Sequence, residues 1–188
     1  MIKFKKIRYK NFLSTGNIPI EVELHSNFKS FRVEEQKISF NEDALFQLDL
    51  LSKEEPNLLS SCVGGYQSRP NLQEDDTFSE LIKRVDHLLK NCGYLKYKKM
   101  KCVRMWTTIC GKNSEVKPHR HEGHISGIYY LQGNGNNESG NLVFETEKNF
   151  APTQCDCFLF ESKMGHFVRT NLMDFTKVSL NFDLVFEQ

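Results

Sequence analysis

The stretch "KPHRHEGHISGIYYL" (Lys117–Leu131) gathers three of the chain's six histidines, His119, His121 and His124, just ahead of an apolar run. The others are His25, His87 and His166. Alternate side chains of a strand share a face, so His119 and His121 can address one point and act as two arms around a metal ion. A third arm must come from elsewhere. His166 is the candidate, because "ESKMGHFV" follows the apolar strand "CFLF" and a turn. The competing reading is a solvated polar turn before a buried strand, and an H-x-H pair alone does not decide between them.

The run after the histidines, "HISGIYYL", reads as a strand, and so do the segments beyond it. "KYKKMKCVRMWTTIC", "GNLVFE", "DCFLFE", "GHFVRT" and "FTKVSLNFDLVF" are rich in β-branched or aromatic residues and are separated by turns such as "GNGNNESGN". Upstream, "DTFSELIKRVDHLLKNCG" places Phe78, Leu81, Ile82, Val85, Leu88 and Leu89 on one helical face. Asp76 or Thr77 is its candidate cap and Gly93 its stop, with His87 beside the apolar stripe as a surface or satisfied histidine. "NEDALFQLDLLS" is a shorter helical candidate. One amphipathic helix followed by about six to eight strands predicts a mainly β fold with flanking helices, of the jelly-roll kind.

The start of the chain differs. "IKFKKIRY" and "IPIEVEL" read as two short strands around the turn signal in "KNFLSTGN". These first 24 or so residues resemble the opening of the SMC-like ATPases of recombination exonucleases. No G-x-x-x-x-G-K-[ST] phosphate loop follows, so no ATPase is expected. We divide the chain into an N-terminal β-hairpin appendage, residues 1–44, and a jelly-roll domain, residues 45–188.

Composition narrows the function classes. The 188 residues suit one domain with a small appendage, and 39% hydrophobic residues with fifteen Phe supply a core. A net charge of +1 offers no electrostatic case for nucleic acid or acidic membranes. No apolar run approaches a membrane span, and the basic start lacks a signal peptide's apolar segment, so a cytoplasmic setting is expected. The six cysteines are then expected as thiols. Cys155 and Cys157 form a C-x-C pair with no second pair to complete a soft-metal site.

Lys177 and Ser179, in "TKVSLNF", share one face of the last strand. A cation and a hydroxyl facing inward beside a metal suit the far carboxylate of a dicarboxylic acid. The plain reading of Lys177 is a solvent-facing lysine, and what raises the first reading is the ordered set H-x-H, H-x10-K-x-S.

That set is where the chain resembles the iron(II)/2-oxoglutarate-dependent oxygenases, and most of all a branch with an H-x-H motif found in bacteria and tailed phages. "SSCVGGYQS" is similar to the branch's "SN-x-GG-[WY]-QS", and "MWTTICGKNSEVKPHRHEGHISGIYYL" to its "W-x-N … H-x-H-P … SGVYYV". "SGNLVFE", "CFLFESKMGHFV" and "TKVSLNF" follow in the same order. The likeness spans residues 45–188 and implies a double-stranded β-helix. It implies iron(II) held by His119, His121 and His166, with Lys177, Ser179 and Tyr130 around 2-oxoglutarate.

It further implies consumption of O2, release of succinate and CO2, and hydroxylation of a small molecule or a protein side chain. If the protein is phage-encoded, its setting is the host cytoplasm. Trp106 and Thr108 share a face as wall residues or core, and Ser126 either leaves room for a ligand or packs. The loops "QSRPNLQEDD" and "QGNGNNESGN" are candidate substrate lids. Three features depart from the family: most members carry H-x-D, Lys177 replaces an arginine, and Glu122 replaces a proline. They leave Glu122 and His124 open as the second ligand. The rival readings are a three-histidine cupin-type dioxygenase with no task for Lys177, and a jelly-roll binding module without catalysis. Oligomeric state is not readable.

Overall fold

A computed structural model of the chain describes residues 5–9, 20–25, 28–32, 38–58, 61–91, 99–135 and 139–187. Thirteen strands, two α-helices and a single 3-10 turn (Leu72–Glu74) occupy them. The strands are β1 (Lys5–Tyr9), β2 (Ile20–His25), β3 (Phe28–Arg32), β4 (Cys62–Val63), β5 (Tyr66–Gln67), β6 (Met100–Cys110) and β7 (Glu115–His119). They continue with β8 (Ile125–Gln132), β9 (Leu142–Phe144), β10 (Asn149–Phe150), β11 (Asp156–Glu161), β12 (His166–Val168) and β13 (Lys177–Phe186). The helices are α1 (Ile38–Glu54) and α2 (Asp76–Asn91).

Two sheets form. The larger runs β1-β2-β3-β11-β8-β13-β6-β5, the smaller β10-β9-β12-β7-β4, and every named strand pair is antiparallel. This is the jelly roll expected from the strand pattern, in the form of the double-stranded β-helix that the family resemblance implies. The expected N-terminal pair forms as β1 and β2, and β3, which the sequence reading did not anticipate, joins them to β11. Residues 10–19, with most of the "KNFLSTGN" turn, lie outside the described residues. None of the helices is long and apolar enough to cross a membrane, among the described residues.

The helices cover one face of the larger sheet. Phe78, Leu81, Val85 and Leu89 of α2 are buried at i, i+3, i+7 and i+11, with Ile82 partly buried beside them. The side chains of His87 and Leu88, and Gly93, lie outside the described residues. The cap differs from the expected one: Asp75 stands one residue earlier, and its Oδ1 accepts the Thr77 N–H at 2.8 Å. A carboxylate reaches the amide two residues ahead of it, so Asp75 suits the role and Asp76 begins the helix. The short helical candidate extends to α1, which buries Ala44 and Leu48 one turn apart.

Strand β13 lies between β8 and β6, so its two faces divide the molecule. Val178, Leu180, Phe182 and Leu184 are buried in the core under the helices. Lys177, Ser179, Asn181 and Asp183 take the opposite parity and are also buried. On β8, a Cβ at Gly127 would meet the Phe182 ring at 2.1 Å, so only glycine allows this close strand contact.

Candidate metal centre

His119 ends β7 and His166 begins β12, and the two are direct cross-strand partners in the smaller sheet. His121 lies beyond the end of β7, so strand alternation is not what aims it. Its backbone N–H bonds to the Ser162 carbonyl at 2.8 Å, and its ring stacks on Trp106 with centroids 5.3 Å apart. The three rings close on one another, with centroid separations of 4.9 Å (119–121), 4.4 Å (119–166) and 5.1 Å (121–166). One ring nitrogen from each lies within 4.8 Å of the others.

The candidates that competed for the second arm sit elsewhere. Glu122 is exposed. His124 stacks on Phe186, and its Nδ1 accepts the Phe186 N–H at 3.1 Å. The C-x-C pair does not converge on a site either: Cys157 is buried against the helices, and Cys155 Sγ accepts from Asn41 at 3.2 Å. The five described cysteines are free thiols.

The donor set fits a transition-metal ion. Each Nδ1 already faces an acceptor: the Lys117 carbonyl for His119 (2.8 Å), the Met164 carbonyl for His166 (3.1 Å) and the Asp183 carboxylate for His121. Such partners hold the Nδ1–H tautomer and leave Nε2 as the ligand atom. His121 Nε2 is buried with no hydrogen-bond partner. Such an atom costs about 1–3 kcal/mol unless a ligand occupies it. Burial lowers the His119 imidazole, and with the neighbouring His119 it pushes His166 down to about 3. Neutral imidazole is the form that binds metal.

On the inner side of the triad is a cavity lined by His119, His166, Trp106, Thr108, Tyr130, Lys177, Ser179 and Asn181. The strand register explains the gathering, because Ser179 pairs with Tyr130 on one side and Thr108 on the other, and Asn181 with Ile128 and Trp106. Lys177 is 3% exposed, and its Nζ donates to the Ser139 and Gly140 carbonyls at 2.8 and 3.0 Å. No carboxylate of the described residues pairs with it. Burial lowers its pKa. The Tyr130 hydroxyl, raised by burial, makes no hydrogen bond to the described residues.

The turn expected as a second lid has a structural task at its described end. Its Ser139–Gly140 carbonyls seat Lys177, and Gly140, at φ +63°, would press a Cβ against Nζ at 3.1 Å. The first loop does lie over the site. Gln67, Ser68 and Pro70 line a cleft of about 610 Å3 on the outer side of the triad, which shares Trp106 and His119 with the inner cavity.

Two residues at the centre escaped the sequence reading. Asn181 and Asp183 continue the alternation that singled out Lys177 and Ser179, so the signal lay two and four residues further along the same strand. Asn181 Nδ2 donates to Thr108 Oγ1 at 3.0 Å. Ser126 does more than pack: its hydroxyl donates to Asp183 Oδ1 at 2.7 Å.

No protein-family model matches the chain, and curated proteins yield no significant relative. Solved structures do. The non-heme α-ketoglutarate-dependent epimerase SnoN from nogalamycin biosynthesis superposes with a TM-score of 0.68 at 12% identity, covering 85% of this chain and 76% of that one. A Pseudomonas putida prolyl-4-hydroxylase gives 0.65 at 11% identity, with 86% and 94% covered. The Trichoplax adhaerens prolyl hydroxylase, solved with a hypoxia-inducible-factor peptide, gives 0.62 at 17%, with 84% and 83% covered. With a convergent histidine triad inside a two-sheet β-roll, the chain has the jelly-roll fold of the iron(II)/2-oxoglutarate oxygenases.

Proposed function

We propose that the protein is an iron(II)- and 2-oxoglutarate-dependent oxygenase that hydroxylates its substrate with release of succinate and CO2. The observation that carries this reading is the pairing of two features in one cavity. His119 and His166 line its wall and converge with His121, and a buried lysine with no carboxylate partner among the described residues stands among its other lining residues. A buried ammonium is costly, and a dicarboxylate that neutralises it gains a charge-assisted bond. Lysine offers a point charge where arginine would offer a fork, so Tyr130 and Ser179 supply the remaining direction.

In this reading His119, His121 and His166 hold iron(II), which when bound supplies the oxygen chemistry. Lys177 takes the distal carboxylate of 2-oxoglutarate, with Tyr130 and Ser179 beside it. Trp106 and Ile128 keep water from the cavity wall. The substrate enters by the outer cleft, whose opening under the Gln67–Pro70 loop admits a small molecule or a protein side chain. A cupin-type dioxygenase leaves Lys177 without a task, and a non-catalytic roll leaves both the triad and Lys177 without one.

The test is anaerobic titration of the protein with ferrous iron and 2-oxoglutarate, followed by exposure to oxygen. A metal-to-ligand charge-transfer band that appears only with both components, and succinate formed on aeration, are expected. Iron binding with no response to 2-oxoglutarate would reject the co-substrate.

A further inference from the structure

We propose that Asp183 is the positioning residue of this metal centre: its buried carboxylate orients His121 and supplies the negative charge that three neutral imidazoles lack. The inference rests on the reading of the triad as a metal site. His121 Nδ1 stands 3.1 Å from Asp183 Oδ1 and 3.3 Å from Oδ2. The carboxylate is itself fixed from two other directions. Ser126 donates to Oδ1 at 2.7 Å, while Arg104 donates to Oδ2 from Nη2 at 2.6 Å and from Nε at 3.0 Å. The register aligns them, because Asp183 pairs with Ser126 on β8 and with Arg104 on β6.

The three imidazoles are not equivalent. His119 and His166 each turn Nδ1 toward the carbonyl two residues before them, a neutral dipole supplied by their own strand or turn. His121 lies outside any strand and turns Nδ1 toward a full charge 62 residues away. A carboxylate behind a ligating imidazole fixes the tautomer and raises the ligand's basicity. Where the commoner ferrous site holds two histidines and a carboxylate, this one places its carboxylate one imidazole away from the ion.

Stability alone is a poor account of Asp183. It is the only acidic side chain in the buried set of the described residues, and its Arg104 partner is half exposed. Bringing a carboxylate into the interior for such a pair gains little over an apolar residue. Nor does it serve the other buried charge. Lys177 lies six residues away on the same strand, about 20 Å at the usual rise. Each buried charge thus faces its own end of the site.

Two measurements test the assignment. Long-range 1H–15N spectra of the metal-free protein above pH 8 report the His121 tautomer, and calorimetric titration with Co(II) reports metal affinity. Asp183→Asn keeps an acceptor and loses the charge, so the Nδ1–H tautomer persists and Co(II) affinity falls about tenfold. Asp183→Leu loses both, and affinity falls by nearer 100-fold. Ser126→Ala, which removes one support of the carboxylate and leaves the charge, lowers it a few-fold. It also decides the matter if the Asp183 variants do not fold. Folded Asp183 variants, or Ser126→Ala in their place, that bind Co(II) within twofold of the parent overturn the role of Asp183. A parent that binds no Co(II) overturns the metal reading itself, and the two failures are distinct.

Discussion

The two faces of β13 do different work with the same backbone. On one, Val178, Leu180, Phe182 and Leu184 pack under the helices within the hydrophobic core. On the other, Lys177, Ser179, Asn181 and Asp183 are just as buried but meet carbonyls, hydroxyls, an arginine and an imidazole. Burial of the first row drives folding. Burial of the second opposes it unless each polar atom finds a partner. The polar row is therefore where the fold spends stability on a site, and changes on the two faces should separate cleanly.

The largest separation is expected from His166→Ala, on the strand opposite the polar face. Losing a direct ligand should cost metal affinity on the order of 10^3-fold, about 4 kcal/mol, beyond the 10–100-fold of an outer partner. Ferrous or Co(II) titration measures it, and a loss under tenfold would break the assignment. Leu180→Ala probes the apolar face. It is fully buried, so removal should destabilise by about 3 kcal/mol in urea unfolding while the folded fraction binds metal as before. A matching drop in metal affinity would show that the faces are not independent.

Lys177→Met keeps length and removes charge. Affinity for 2-oxoglutarate should fall by about 10- to 150-fold, the worth of a hydrogen bond to a charged group. Metal affinity without co-substrate should stay within twofold. The most gradual effect is the acid response of the metal-free protein. His166 titrates near 3 in the folded chain against 6.5 for an ordinary imidazole. Between those values the unfolded chain binds the extra proton, so stability falls as pH falls, by up to about 1.4 kcal/mol per unit. Chemical unfolding in EDTA across this window should show the slope, and His166→Gln should flatten it.

Much of this was legible before any coordinates. Strict alternation in "KVSLNFDLVF" separates its two faces, and the same period that marks Lys177 and Ser179 also reaches Asn181 and Asp183. The α2 stripe is equally plain, because a 3.6-residue period needs no distant partner to be recognised. Less legible was whatever depends on a contact between segments. Asp75 rather than Asp76 caps α2 because the choice lies in one backbone turn. His121 joins the triad from a turn, held there by Ser162 and Trp106. The Ser139–Gly140 turn reads as a loop, yet it seats a lysine 37 and 38 residues further on.

The sequence by itself determined which side chains share a strand face, which stripe of α2 is apolar and which imidazoles were available, because these follow from the local period of the backbone. Only the tertiary structure decided which of them meet. Register between strands far apart in the chain brings His119 opposite His166 and Asp183 behind His121. That register is set by the packing of both sheets at once, and no local period encodes it.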